Sequence, residues 1–132
     1  EFNMSLAKYK GTAKKYRRYK AADRKKGEMI FMTIELTGEK QLITVRLDGE
    51  LDHRSSEQIR KSIEDELMRS GAINIAFDFS RVTFMDSSGI GMLLGRYKTV
   101  KALGGKIILL GMSRETERII RMSGIDHIAE IY

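Results

Sequence analysis

The chain changes from strand to helix within one short stretch, Phe84-Met85-Asp86-Ser87-Ser88-Gly89-Ile90-Gly91. The first backbone N–H groups of a helix have no intrahelical partner and carry partial positive charge, so an Asp or Ser side chain is favoured there. Either Asp86 or Ser87 can therefore act simply as a helix cap. The same position also accommodates a phosphate group, which makes Ser87 a candidate for a phosphorylation switch.

Outward from this stretch, the apolar pattern predicts the neighbouring elements. Residues 73–79 are mostly β-branched and aromatic, which is typical of a strand at the centre of a sheet with both faces covered. The helix that begins near Ser87 is predicted to end around Gly104, because glycine is favoured just beyond a helix C-terminus. Its predicted apolar stripe comprises Ile90, Leu93, Leu94, Tyr97 and Val100.

The rest of the chain alternates strands and helices. Alternating apolar and polar residues predict a strand pair in residues 33–47, and apolar residues four apart predict an amphipathic helix in residues 55–68. Further elements are predicted in residues 106–110 (strand), 113–124 (helix) and 128–132 (strand). Short connections between such elements imply right-handed crossovers. We therefore predict an α/β fold, a single domain in which helices pack on a mixed, mostly parallel sheet of about five strands.

The positive charge of the chain is concentrated at one end. The 132 residues have a formal net charge of +6, but residues 1–31 alone carry +7 and residues 32–132 carry −1. Because residues 1–31 contain few apolar side chains, we expect a basic extension that is disordered or was added by cloning, followed by the folded domain in residues 32–132. Its cations and tyrosines could also bind RNA or single-stranded DNA. Solvated basic tails are more common, so no direct nucleic-acid partner is expected.

The composition argues against several kinds of chemistry. The chain has no cysteine and two histidines, so it lacks the usual ligands of a zinc site. The segment around Gly89 and Gly91 lacks the Lys-Ser/Thr ending of a phosphate-binding loop, and Ser87 is not in a Gly-x-Ser-x-Gly elbow. We therefore predict a non-enzymatic protein without a cofactor or metal. No apolar run approaches the roughly 20 residues that span a bilayer, and no secretory signal is apparent, which predicts a cytoplasmic protein without a membrane partner.

Two glycines lie four residues apart in the predicted helix. Gly91 and Gly95 each weaken a helix by about 1 kcal/mol relative to alanine, so another interaction should compensate. Close packing of the helix against the sheet is one explanation. The other is a flat docking surface for a second protein, flanked by Arg96 and Lys98.

Several separated motifs agree in order and spacing with one known family. They are Gly49-Glu50-Leu51-Asp52, Ile75-Ala76-Phe77-Asp78-Phe79-Ser80, Asp86-Ser87-Ser88-Gly89, Gly95-Arg96-Tyr97-Lys98 and Met122-Ser123-Gly124-Ile125. Together they resemble the STAS domain of anti-sigma factor antagonists, most closely the sporulation-type member. The resemblance extends from about Met32 to Tyr132. The family ordinarily adds a helix after its last strand, so we expect a domain that lacks this helix.

The resemblance implies a switch in transcription regulation. In the family, the first Ser of the Asp-Ser-Ser-Gly motif, here Ser87, is phosphorylated by the anti-sigma factor, which is itself an ATP-dependent serine kinase. The unphosphorylated antagonist binds this kinase, with ATP or ADP bound to the kinase, and the sigma factor is released. A PP2C-like phosphatase restores the unphosphorylated form.

Contacts with the partner are expected around the phosphoacceptor. Asp52 matches the acid of the Gly-Glu-Leu-Asp motif, Asp86 lies beside the hydroxyl, and Ser88 either bonds locally to backbone or takes part in the interface. The complete set of expected contact residues is Asp52, Asp86, Ser88, Gly91, Gly95, Arg96 and Lys98. Other branches of the superfamily suggest an alternative, in which the domain binds a nucleotide or lipid without phosphotransfer and Ser87 stays unmodified.

Overall fold

The computed structural model describes the backbone of residues 14–23, 28–37 and 42–132 and the side chains of residues 42–132. Strands and helices alternate along most of this part of the chain. Their bounds are β1 Lys14–Asp23, β2 Glu28–Thr37, β3 Leu42–Leu51, α1 His53–Ser70, β4 Asn74–Met85, α2 Ser87–Ala102, β5 Ile107–Leu110, α3 Arg114–Ser123 and β6 Glu130–Ile131. A short 3-10 helix, Ile125–His127, lies between α3 and β6.

The strands form one sheet in which their spatial order follows the chain, from β1 to β6. β1, β2 and β3 are antiparallel neighbours, whereas β3 to β6 run parallel and are connected through α1, α2 and α3 in turn. Parallel neighbours need such long crossover connections because a tight turn can join only antiparallel strands. The predicted α/β fold, with a mostly parallel sheet and an antiparallel edge, is confirmed. Within the described residues the sheet has six strands, where about five were predicted.

The additional strand arises in the basic segment. β1 pairs with β2 along its whole length, from Lys14 opposite Thr37 to Asp23 opposite Glu28. The structure therefore differs from the expected disorder at residues 14–23. A strand added to a sheet edge gains backbone hydrogen bonds that do not require an apolar core of its own. Residues 1–13, 24–27 and 38–41 lie outside the described chain, and both the cloning origin and the boundary at residue 32 stay predictions.

The main hydrophobic core lies between the helices and one face of the sheet. Alternate strand residues enter it because side chains of a strand alternate between its two faces. Those buried residues are Ile43, Val45, Leu47, Ile75, Phe77, Phe79, Ile107 and Leu109. α1 contributes Ile59, Ile63 and Leu67, as its pattern predicted. A smaller buried cluster on the opposite face contains Leu42, Ala76, Ile108 and Leu110, so β4 and β5 are covered on both faces.

α2 departs from the predicted stripe at one position. Leu93 and Val100 are buried as expected, but Leu94 is 36% exposed, and Met92 is buried instead. Neighbouring helix positions point about 100° apart, so Leu93 and Leu94 cannot both face the centre of the core. The apolar residues of α2 are thus divided between the core and the solvent side.

A glycine makes the connection from α2 to β5 possible. A Cβ atom on Gly105 would lie 1.6 Å from the carbonyl oxygen of Ile73, so this position leaves no room for a side chain. The Gly105 N–H donates to the carbonyl oxygen of Val100 at 2.7 Å. The turn brings β5 alongside β4, with Ile107 opposite Ile75. The predicted end of this helix near Gly104 is confirmed.

Candidate functional site

β3 and β4 end side by side, and each is followed at once by an acidic residue and a helix. Leu51 lies opposite Met85 in the parallel pair, and the N–H of Asp86 donates to the carbonyl oxygen of Leu51 at 3.3 Å. Asp52 and Asp86 are therefore neighbours at the carboxyl edge of the sheet. Two site residues predicted from separate motifs are brought together in this way.

Asp52 closes the first turn of α1 with a capping box. Its Oδ1 accepts a hydrogen bond from the Ser55 N–H at 3.0 Å, and the Ser55 hydroxyl oxygen accepts one from the Asp52 N–H at 2.9 Å. Ser55 and the next residue, Ser56, are buried. Asp52 is therefore the N-cap of α1, and its side chain is only half-buried.

Asp86 is the N-cap of α2. Its Oδ1 accepts a hydrogen bond from the Ser88 N–H at 2.8 Å, and its carbonyl oxygen accepts one from the Gly89 N–H at 3.1 Å. Ser87 is the first helical residue and is exposed, and its hydroxyl has no hydrogen-bond partner among the described residues. Of the two capping alternatives, the structure therefore selects Asp86, which leaves the hydroxyl of Ser87 accessible.

The glycine that completes the motif lets α2 approach the strand ends. A Cβ atom on Gly89 would lie 2.6 Å from Met85 Cγ and 3.1 Å from Leu51 Cδ2. Both distances are shorter than the roughly 3.5–4.0 Å at which nonbonded carbons attract each other. Sequence reasoning assigned no role to Gly89, although its place directly after the two serines was an available signal. Its role is to hold the first turn of α2, and with it Ser87, close to the sheet.

α2 presents one solvent-facing stripe, which we call the outer face. It consists of Ser87, Gly91, Leu94, Gly95 and Lys98. These positions recur every three or four residues and so share one side of the helix. Apart from the adjacent residues and the nearby backbone of α2 itself, no heavy atom of the described residues lies within 4 Å of a Cβ built on Gly91 or Gly95. Close packing against the sheet therefore does not account for these two glycines, and the docking surface stays a prediction.

A groove of about 230 Å³ lies between the first turns of α1 and α2. It is lined by His53, Ser56, Glu57, Arg60, Ser88, Gly91 and Met92. Ser88 and Gly91 belong to the predicted site, whereas no motif pointed to the α1 residues. The only sequence signal for them was their place in the first two turns after Asp52. The groove adjoins the outer face because Gly91 belongs to both.

Arg60 connects two acidic residues along α1. Its guanidinium donates to the carboxylates of Glu57 and Glu64, with Nη1 2.8 Å from Glu64 Oε2. The hydrogen bond with Arg60 lowers the pKa of the Glu57 carboxyl, and the same bond raises the pKa of Arg60. Exposed pairs of this kind add little to stability. Their effect here is to orient side chains along the groove.

Arg96 does not lie where the sequence suggested. It is 5% exposed and packs between α2 and α1, where its Nη2 donates to Glu64 Oε1 at 2.8 Å. The prediction that Arg96 flanks a docking surface does not fit this burial. Position 96 lies roughly 160° around the helix from position 98, so the two residues face opposite sides. Lys98 is exposed on the outer face.

Two kinds of feature are absent from the described part of the chain. It contains no group of three or more His, Cys, Asp or Glu side chains that could hold a metal ion. It also contains no helix that is long and apolar enough to cross a membrane.

Comparison with known proteins identifies the family. The family model described as the STAS domain matches residues 33–132. The anti-sigma F factor antagonist of Paenibacillus polymyxa is 35% identical over 101 residues, which cover 76% of this chain and 86% of that protein. The unphosphorylated anti-sigma factor antagonist SpoIIAA has a similar structure, with a TM-score of 0.64 and 32% identity over 76% of this chain and 86% of that chain. The phosphorylated form of SpoIIAA from Bacillus gives a TM-score of 0.62 and 34% identity over 76% and 90%. The chain therefore belongs to the STAS domain family, with anti-sigma factor antagonists among its relatives.

Proposed function

We propose that this protein is an anti-sigma factor antagonist whose binding is switched off by phosphorylation of Ser87. The unphosphorylated form binds an anti-sigma factor that is also a serine kinase, and the sigma factor is released. The observation that carries this proposal is the accessible, unpartnered hydroxyl of Ser87 at the start of α2, next to a separate capping residue, Asp86. The existence of a phosphorylated form of SpoIIAA, which resembles this chain over most of its length, supports a switch of this kind.

The charge around Ser87 explains how one phosphate can control binding. A phosphoserine carries a charge of about −1.5 to −2 at neutral pH. It would join two carboxylates, Asp86 and the neighbouring Asp52, at the same edge of the sheet. A partner that covers this edge and offers no matching cation would have to bury the added charge, which is strongly unfavourable. The helix start compensates the phosphate by about 0.3–1 kcal/mol in the free protein, so the fold should persist.

The outer face of α2 is the proposed contact surface. Gly91 and Gly95 present bare backbone that another chain can approach closely, and Leu94 adds exposed apolar area. Lys98 supplies a positive charge at the far end of the stripe. Asp52, Asp86 and Ser88 border this surface at the start of the helix. Arg96 is excluded from direct contact because it is buried.

The partners follow from the same proposal. The anti-sigma factor would carry the ATP or ADP, so this chain needs no cofactor of its own. A PP2C-like phosphatase would remove the phosphate from Ser87 and return the protein to its binding form. A sporulation sigma factor is the proposed end point, because the motifs most closely resemble the sporulation-type antagonist. The Paenibacillus polymyxa relative is named for sigma F. These steps take place in the cytoplasm, where sigma factors act on transcription.

Phosphorylation of the full chain tests the proposal. The wild type, Ser87→Ala and Ser88→Ala are incubated with an anti-sigma F kinase and ATP, and the phosphorylated residue is mapped by mass spectrometry. We expect phosphate on Ser87 in the wild type and in Ser88→Ala. We expect none in Ser87→Ala, which should stay bound to the kinase, whereas Ser87→Asp should bind weakly. Efficient labelling of Ser87→Ala would disprove the assignment.

The groove between α1 and α2 favours a second candidate, a STAS module that binds a small ligand without phosphotransfer. Hydroxyl groups of Ser56 and Ser88 and the guanidinium of Arg60 belong to residues that line it. Its volume of about 230 Å³ is below the roughly 300–1,000 Å³ of common ligand pockets, so a whole nucleotide or lipid fits poorly. This function predicts saturable nucleotide binding by the isolated protein and no phosphate on Ser87 after incubation with the kinase.

A further inference from the structure

Arg96 is held between α1 and α2 by a single described interaction. Its Nη2 donates to Glu64 Oε1 at 2.8 Å, while its Nε and Nη1 atoms are buried and have no hydrogen-bond partner among the described residues. Glu64 is itself shared, because its other oxygen accepts from Arg60. A guanidinium has five N–H groups, and most of those on Arg96 are removed from water without an acceptor.

This arrangement is unfavourable for a structural side chain. Burial lowers the pKa of Arg96, although the Glu64 carboxylate opposes this effect. Removing a cation from water is compensated only when good geometry and further hydrogen bonds satisfy it, and replacement by an apolar side chain of similar volume is often neutral or stabilising. A methionine at position 96 would therefore pack between α1 and α2 at least as well as the arginine does.

The position of Arg96 in α2 suggests what it does. It lies roughly 140° around the helix from Gly91 and 160° from Lys98, so it points away from the outer face. Its ion pair joins α2 to α1 one turn beyond the groove that Ser88, Gly91 and Met92 line. A contact at this place limits both rotation of α2 about its axis and sliding of α2 along α1. The direction in which Gly91 and Lys98 face depends on these two movements.

We propose that Arg96 is a positioning residue, whose ion pair with Glu64 fixes the orientation of α2 against α1. This orientation places the outer face where the partner binds. The fold is less stable with Arg96 than it would be with an apolar residue at the same position. This inference rests on the proposed function for the identity of the partner. The effects on stability and on the conformation of α2 do not depend on any partner.

The central variant is Arg96→Met, studied in the full chain beside Arg121→Met as a matched control. Arg121 is an exposed arginine of α3 that pairs with Glu117 and Asp126, so its replacement removes the same charge away from α2. For Arg96→Met we expect an unchanged or higher melting temperature, about tenfold weaker binding to the anti-sigma factor and altered amide chemical shifts along α2 in the free protein. Arg121→Met should bind like the wild type.

A second variant breaks the same ion pair by changing its α1 residue, Glu64. Glu64→Gln leaves the buried Arg96 charge without its carboxylate, so it should weaken binding as Arg96→Met does and also lower the melting temperature. In the double variant the binding losses should be less than additive, because both substitutions break the Arg96–Glu64 ion pair. Glu64→Gln also removes the charge that pairs with Arg60 on the surface of α1.

Three results would overturn the inference. They are wild-type affinity in Arg96→Met, additive binding losses in the double variant, and a lower melting temperature of Arg96→Met in step with its loss of binding. If instead the wild type itself fails to bind the anti-sigma factor, the proposed function fails, and the melting temperatures and α2 chemical shifts still decide the role of Arg96.

Discussion

The first turns of α1 and α2 contain similar residues but leave different groups exposed. Each helix follows one of two neighbouring parallel strands and each is capped by an aspartate, Asp52 or Asp86. In α1 the hydroxyl of Ser55 is used within the capping box, whereas in α2 the hydroxyl of Ser87 is exposed. The comparison shows that capping a helix and presenting a hydroxyl are separable tasks. Because Asp86 performs the first, Ser87 is available for modification.

The largest difference in stability is expected between alanine variants of two glycines in α2. Gly89→Ala should lower the free energy of unfolding by about 1–3 kcal/mol, because its Cβ would overlap Met85. Gly91→Ala meets no neighbour and should raise it by up to about 1 kcal/mol, since alanine favours the helix. Urea denaturation measures both. Equal shifts in the two variants would contradict the close approach of α2 to the strand ends.

The second largest difference in stability is expected between variants of the two N-cap residues. Asp52→Ala removes one half of a reciprocal capping box and should destabilise the fold by about 1–2 kcal/mol. Asp86→Ala removes a single side-chain hydrogen bond to Ser88 and should lose about 1 kcal/mol or less. Thermal unfolding of both variants at equal pH gives the comparison. A larger loss for Asp86→Ala would show that α2 depends on its cap more than α1 does.

Alanine variants of Ser55 and Ser87 should distinguish a structural hydroxyl from one that is phosphorylated. Ser55→Ala removes a buried hydroxyl that also donates to the Glu50 carbonyl oxygen at 2.8 Å, so it should lose about 1 kcal/mol of stability. Ser87→Ala removes an exposed hydroxyl and should change stability by less than about 0.5 kcal/mol while abolishing phosphorylation. Denaturation curves and kinase labelling, recorded on the same samples, check both. A strongly destabilised Ser87→Ala would mean that this hydroxyl has a structural role.

The smallest effect concerns Glu57 in the first turns of α1. Its hydrogen bond with Arg60 lowers the pKa of Glu57 in the folded state, so the stabilisation is present at pH values above the ordinary pKa near 4.5 and is lost as the pH falls through the lowered value. Stability should therefore decrease slightly more on acidification in the wild type than in Glu57→Gln. Unfolding curves recorded from neutral to acidic pH measure this difference. The same pH dependence of stability in the wild type and in Glu57→Gln would argue against it.

Much of the fold could be predicted because it depends on local patterns. The buried strand β4, the apolar residues of α1 and the end of α2 near Gly104 all follow from periodicity and glycine placement. The candidate site could be predicted for a similar reason, since Asp52 and Ser87 lie in motifs at the ends of elements, and its function stays a prediction. Sequence patterns failed for Leu94 and Arg96. α2 has apolar or small residues on several sides, so its orientation depends on what packs against it.

By itself, the sequence determined the order of strands and helices from residue 33 onward, the acid before each of the first two helices and the hydroxyl at Ser87, because these features depend on residues close together in the chain. Only the tertiary structure decided that Asp52 and Asp86 are neighbours, that Asp86 is the cap and that Arg96 is buried against Glu64. The physical reason is that these contacts join distant segments and form only when β3 pairs with β4 and α1 packs beside α2.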